Sequence, residues 1–536
     1  MKTKNLLTTF IALIIALNAI AQPFIKAQKV AGGNDLDDLT CMTTTSDKGI
    51  IAGGLTYSGI SGDKTDTSRG LLDYWIIKFD SIGNKMWDKT MGGSEDDRIV
   101  DIHQTADGGY ILGGTSESDI SGEKTQNKMS YRDFWIIKLD AAGNIEWDKT
   151  VGRTGDYYSD LGTIQQTIDG GYIIGGTLGY VSVSDRGGSD YFIVKLDANG
   201  NTLWDKAIGG NRNDGLKALQ QTRDGGYILG GTSGSNASLD KSENTRGGQD
   251  ILDYWIVKLD ATGNQEWDKT IGGNSYDFFA ALQQTTDGGY IIGGHSTSGI
   301  FAEKTKASRG FNDYWVVKLN NLGDVQWDNV YGSNQTDQLT TLLQTRDHGY
   351  IFGGYSYFGG ISGDKTETYR GYEDYWVVKT DSLGNKQWDK TAGGSAPDLL
   401  YSVKEIKRNV FLLGGSSSSL ASGDKTRKPI GSYDFWFVLL DARQTPGIGK
   451  LSNGYGNSIK SESHNSILIY PNPAKDILHI QNAGKATVTL TDQSGNVILT
   501  KTINGNGAID VSKVPSGTYF LTNIITGVTT KVIVNR

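Results

Sequence analysis

The chain has 536 residues, a formal net charge of −8, 73 glycines, only 7 prolines and a single cysteine. That length exceeds one ordinary hydrophobic core, and abundant glycine beside scarce proline suits many tight β-turns. The acidic balance excludes the basic footprint of a general nucleic-acid binder, and one cysteine excludes an intrachain disulfide or a cysteine-based metal cluster.

Residues 1–21 read MKTKNLLTTFIALIIALNAIA. Lys2 and Lys4 give a basic start, an apolar stretch follows from Leu6, and Ala19-Ile20-Ala21 has the small-x-small form of a cleavage site. This predicts a secretory signal peptide. The apolar segment is short for a membrane anchor and is interrupted by Thr8, Thr9 and Asn18. No later apolar run is long enough to span a bilayer, so no transmembrane segment is expected in the mature chain.

From residue 22 to residue 443 the sequence repeats with a period near 60. Such periods mark architectures in which each unit buries its apolar face against its neighbours. The second glycine of a Gly-Gly pair recurs at Gly54, Gly114, Gly176, Gly231, Gly294, Gly354 and Gly415. All 12 tryptophans fall in two slots. Trp75, Trp135, Trp255, Trp315, Trp376 and Trp436 fill the first, where Phe192 substitutes once; Trp87, Trp147, Trp204, Trp267, Trp327 and Trp388 fill the second. The pattern predicts four strands per unit, in the manner of 280–285, 289–293, 314–319 and 265–271, with a long Gly/Ser/Asp/Lys loop between the second and third. β-Branched and aromatic residues fill the strands, and Gly, Asn and Asp fill the turns.

The seventh copy stops after its third strand and lacks the segment that carries the second tryptophan. The stretch AQKVAGGN at 27–34 aligns with WDKTIGGN at 267–274. An N-terminal strand that completes the last sheet closes a ring, whereas open arrays need capping repeats. The expectation is an all-β chain: a seven-bladed β-propeller over 22–443, with an open β-solenoid as the alternative.

The pattern D-x-x-G-x-x-x-W recurs at Asp80–Trp87, Asp140–Trp147, Asp197–Trp204, Asp260–Trp267 and Asp381–Trp388, with Asn320 for Asp in the copy ending at Trp327. It resembles the tryptophan-docking repeat of quinoprotein-like propellers. It is also similar to the Asp-box of sialidase-type propellers, with one more residue between Asp and Gly. The resemblance implies a large ring buried between neighbouring blades.

Asp73, Asp133, Asp190, Asp253, Asp313, Asp374 and Asp434 precede an aromatic pair in every copy, and Arg69, Arg186, Arg309 and Arg370 stand four residues before theirs. A function-specific group on a repeated scaffold appears once, so these residues read as braces, as do Asp97, Asp214, Asp277, Asp337 and Asp398. No D-x-[DN]-x-[DN]-G loop occurs, so no metal ligand is assigned and no cofactor is implied; a structural calcium among the aspartates stays open. Cys41 aligns with Ala281 and reads as a buried small hydrophobe. No HExxH, P-loop or dinucleotide fingerprint is present, and no catalytic residue is assigned.

Candidate binding residues are the departures from the repeat. His295 replaces the threonine of sister copies (Thr115, Thr177, Thr232) just before the long loop, and His103 and His348 occupy other repeat positions. The long loops of the fifth and sixth copies gather Phe301, Phe311, Tyr355, Tyr357, Phe358, Tyr369 and Tyr372. Such rings stack on sugar faces or anchor a protein partner; the alternative is that they cover their own blade. The third loop is cut short between Tyr180 and Asp190.

Residues 444–465 are polar and irregular, a linker. Over 466–536 short alternating segments around Gly and Asn turns predict a small β-sandwich. Tyr470-Pro471-Asn472-Pro473, the Asp492…Gly495-Asn496 turn, Pro515…Gly517-x-Tyr519 and the end from Lys531 to Arg536 resemble the type A sorting domain of the type IX secretion system of Bacteroidetes. The resemblance implies the secretion machinery as a partner and delivery to the outer-membrane surface or the medium. The functional expectation is therefore an exported, non-catalytic propeller that binds a glycan or protein ligand. Alternatives are a secreted carbohydrate-active enzyme (lyase or glycosidase), a quinoprotein dehydrogenase, or a structural protein of matrix or gliding machinery.

Overall fold

A computed structural model describes residues 22–181, 187–443, 468–470, 474–481, 485–492, 496–504, 507–523 and 529–535. The chain divides into two compact units, Met1–Gly447 and Ile448–Arg536. The leader 1–21 and the linker 444–465 lie outside the described residues.

The described residues of the first unit form seven four-stranded antiparallel sheets. In the fifth, Asp277–Gln284, Tyr290–Ser296, Asp313–Leu319 and Val325–Tyr331 pair in chain order. The third strand is buried throughout, because both of its faces meet neighbouring sheets. The first strand begins at Asp277, earlier than its apolar pattern suggests, because Asp277 pairs with Ser296 and its carboxylate accepts from Gly273 N at 2.7 Å. A buried aspartate that caps a loop carries no hydrophobic signal.

The seventh sheet takes Asp398–Lys407, Val410–Ser417 and Asp434–Asp441 from the end of the repeat region and Phe24–Ala31 from its start. The pairing runs from Ala31↔Phe435 through Ala27↔Leu439 to Phe24↔Asp441. Blade one then packs on blade seven: Leu39 N donates to Ser416 Oγ at 2.8 Å, and the Trp75 and Phe435 rings lie 4.8 Å apart. The architecture is a seven-bladed propeller closed by its N-terminal strand.

The two tryptophan slots do different work. Trp315 is fully buried; its Nε1 donates to Asp328 Oδ2 at 3.0 Å, and Tyr254 of the preceding blade donates to its carbonyl at 3.1 Å. The second-slot Trp267, on the outer strand of blade four, lies across Tyr290 and the Gly323 turn of blade five. Gly323 has φ +82°, and a β-carbon there would stand 2.8 Å from the indole, so both its left-handed backbone and the ring's approach require glycine. At the turn of the inner hairpin in blades two to six a glutamine ties the blade to the one before it, as Gln344 Oε1 accepts from Thr286 N at 2.8 Å, and Glu405 does the same in blade seven.

In the second unit, Leu468–Tyr470, Ile477–Gln481 and Gly507–Asp510 form one sheet, and Lys485–Thr491, Val497–Asn504, Gly517–Asn523 and Thr529–Val534 form another. Leu478 and Ile480 of the first share one core with Val488, Leu490, Leu521 and Val532 of the second. Tyr519 is buried and donates to Pro515 O at 2.9 Å, four residues back, which fixes the strand entry after Gly517. Pro471, Asn472, Pro473, Arg536 and the side chains of Tyr470 and Lys531 lie outside the described residues.

Candidate functional site

The long loops between second and third strands are built on a buried lysine. In blade five the loop closes a small hairpin at Phe301 and Lys304, and Lys304 lies fully buried among Asp277, Asp313 and Asp328. Burial lowers Lys304 to about 8 and raises Asp313 to about 7, since each charge loses its water. Asp313 also accepts from the backbone N of Arg309 at 2.5 Å. The repeated aspartates are thus loop braces. Asp277 likewise accepts from Gly273 N and, at 3.1 Å, from Ser298 Oγ.

The arginine side chains reach the following blade rather than their own aspartate. Arg69 meets Glu123 at 2.7 Å, Arg246 meets Glu303 at 2.9 Å, Arg370 meets Asp424 at 3.0 Å, and Arg309 pairs with Asp364. Successive loops are therefore stapled to one another by ion pairs that span blade boundaries. Arg186 lies outside the described residues.

On this stapled face the aromatic candidates separate into groups. Phe358 lies 5.2 Å from Tyr372 and 6.3 Å from Tyr369, ring to ring, and all three stay about half exposed (49%, 55% and 45%). Tyr355 and Tyr357 form a second pair at 5.9 Å, and the Tyr355 hydroxyl donates to Gln338 Oε1 at 2.8 Å. Phe301 and Phe311 stand exposed on the blade-five loop, and no ring contact joins them to the trio among the described residues. Phe358 holds φ +37°, in the left-handed region that a phenylalanine enters only when its surroundings over-determine it. Its backbone N donates to Tyr372 O at 3.0 Å, which joins the two ends of the loop.

His295 is in the second strand of blade five, stacked on Phe278 at 5.1 Å. Burial pushes it down to about 4, with hydrogen bonding to the Leu339 backbone acting the other way, so it is neutral near pH 7. In the sister position Thr232 accepts from Phe279 N of the next blade at 3.2 Å. His295 thus faces the blade junction, and it does not converge with His103, which sits beside Asp101 in blade two, or with His348 in blade six. Cys41 is buried, and burial raises its thiol far above the usual range. Sequence reasoning passed over Tyr276 and Phe278, which extend the aromatic sector by stacking at 6.1 Å; the signal was Phe278 at the place of Gly215 and Arg98.

Residues 468–535 match the model of the secretion system C-terminal sorting domain. The match marks the chain for delivery by the type IX system to the cell surface or beyond. Among curated proteins the chain is similar to the regulatory protein FlaEY of Caulobacter vibrioides, 22% identical over 412 residues, covering 69% of this chain and 41% of that protein. The chain thus spans about two fifths of that relative's length. Among solved structures it is similar to the β-propeller domain of Cps50 (Swd1) from Myceliophteria thermophila, at 9% identity and a TM-score of 0.40, over 78% of this chain and 99% of that one. It is also similar to the quinohemoprotein alcohol dehydrogenase of Comamonas testosteroni, at 11% identity and a TM-score of 0.35, over 81% and 79%. No helix among the described residues is long and apolar enough to cross a membrane.

Proposed function

We propose that this chain is an exported, non-catalytic propeller whose long-loop face binds a glycan or a protein, with blades five and six making the decisive contacts. The single observation that carries the reading is the Phe358–Tyr369–Tyr372 cluster. Three rings meet on loops stapled by ion pairs, yet keep about half their surface in water. Aromatic surface held rigid before contact loses little entropy on binding and supplies the usual anchor residues of an interface. The matched sorting domain supplies the exported context, and after leader removal the propeller would stand in the medium or on the outer-membrane surface.

The test is a glycan array and a cross-linking capture from the cell envelope, run with the wild type and with Phe358→Ala/Tyr372→Ala. Loss of the captured ligand with an unchanged thermal midpoint supports the reading. Full retention of binding by the double variant refutes the site, and turnover of the bound glycan, seen as new reducing ends or unsaturated products, refutes the non-catalytic part. For export, removing 466–536 should leave the propeller in the periplasm.

A further inference from the structure

The outer strand of blade seven carries Ala27 where the other six outer strands carry a second-slot tryptophan. The register is unambiguous. Trp87 lies opposite Lys78 in blade one, and Ala27 lies opposite Leu439 in blade seven. The neighbouring residue keeps its role, since Gln28 Oε1 accepts from Trp436 Nε1 as Asp88 Oδ2 accepts from Trp75 Nε1. Three replacements therefore converge at the junction of blades seven and one. Ala27 stands for tryptophan, Leu439 for the buried lysine, and Ile50 for the aromatic residue that meets the indole elsewhere, as Tyr110 meets Trp87 at 5.9 Å and Phe411 meets Trp388 at 5.7 Å.

A cavity of about 540 Å³ opens there, lined by Ile50, Phe79, Gly83, Leu412, Phe437 and Leu439 beside Ala27. Gly83 (φ +87°) is the counterpart of Gly143 and Gly323. A β-carbon on those two would meet an indole at 3.1 and 2.8 Å; on Gly83 it would meet nothing within 4 Å among the described residues. The same turn that seats a tryptophan ring at five other junctions is therefore present here without a ring from its own chain. The rim is cationic: Lys29, Lys48 and Arg427 against Asp80. Lys48 holds φ +66° where four sister blades place Gly108, Gly170, Gly225 and Gly288, so a charged side chain sits at this rim despite an unfavourable backbone.

We propose that this cavity binds a small aromatic acid. Its planar ring, of indole size, lies on the Gly83 turn beside Phe79 and Leu439, and its carboxylate faces Lys29, Lys48 and Arg427. The ring preference follows from the five internal examples of an indole on this turn, and the charge preference from three cations against one carboxylate. The outer strand already occupies its place in the sheet, so the ring enters as a free molecule rather than on a pairing strand.

The test uses the chain from residue 22 onward with indole-3-acetate, indole, tryptamine and an acidic peptide containing one tryptophan, followed by calorimetry and ligand-observed NMR. Expected are saturable one-site binding of indole-3-acetate and at least about tenfold weaker binding of tryptamine. Ala27→Trp should abolish binding and raise the thermal midpoint, because the chain then supplies its own ring. Should that variant fail to fold, Leu439→Lys, which restores the sister residue, should weaken binding at least about tenfold. Absence of saturable binding to the wild type overturns the proposal, as does unchanged binding to a folded Ala27→Trp variant. Binding of the peptide but not of the free acid overturns it in favour of a macromolecular partner.

Discussion

At the junction of blades four and five, Trp267 lies across Tyr290 and the Gly323 turn, and Arg246 staples the loops above. At the junction of blades seven and one, Ala27 takes the tryptophan's register, and the place of the arginine is held by Ile430, which can only pack against the Gly62 turn. What the two share is the first slot: Trp315 and Trp75 are both fully buried, each against a ring of the preceding blade, Tyr254 at 4.9 Å and Phe435 at 4.8 Å, although Phe435 has no hydroxyl to donate to the carbonyl as Tyr254 does. The contrast teaches that ring closure rests on backbone pairing and on the buried first-slot ring. The docked second-slot ring reinforces a junction without being required for it.

The largest effect should come from the strand that crosses the seam. Deleting 22–34 leaves Asp434–Asp441 as an unpaired edge and removes the acceptor from Trp436 Nε1, 408 residues away in sequence. We expect loss of the single cooperative melt and the appearance of aggregates, read by circular dichroism and size-exclusion chromatography. Deleting 444–536 should leave the propeller's melt in place. Next, Trp255→Ala at an ordinary junction and Trp75→Ala at the seam should each cost about 3–5 kcal/mol by urea titration. A clearly smaller cost at Trp75 would mean that the seam is held by pairing alone.

The buried carboxylates distinguish the junctions by pH. Burial is the main cause that lifts Asp313 to about 7 and its seam counterpart Asp434 to about 6, both from an ordinary 3.8. The folded chain holds these protons more tightly than the unfolded one. Their stabilising contribution is therefore complete below about pH 4 and is lost as pH rises through about 6 to 7. Urea midpoints should fall between about pH 4.5 and about pH 7.5, and Asp313→Asn should flatten that slope more than Asp434→Asn. Gln28→Asp restores the sister carboxylate beneath Trp436 Nε1 and should stabilise the seam by about 1 kcal/mol. The smallest effect is expected from Arg246→Ala. This partly exposed staple to Glu303 should contribute under about 1 kcal/mol, and less in high salt.

The blade number, the two tryptophan slots and the closing strand were all readable in the residues. Each is a local pattern that recurs at a fixed period, so alignment of the chain with itself reveals it. The same self-alignment sets Ala27 against Trp267, but a missing ring has meaning only once the Gly83 turn is seen beside it without one. The C-terminal motifs were readable for the same reason: short turns and strand ends are written in neighbouring residues.

Contacts across blade boundaries were not readable in this way. His295, just before the long loop, read as a candidate binding residue, and the structure turns it into the junction beside Phe278. Arg69 and Arg370 read as braces beside their own aspartates, and the structure sends their guanidinium groups to Glu123 and Asp424. Of seven loop aromatics, Phe358, Tyr369 and Tyr372 meet while Phe301 and Phe311 stand apart. Periodicity records which residues share an environment. Which side chains then touch depends on how consecutive blades face each other around the ring, a distance relation between segments some 60 residues apart that no local pattern encodes.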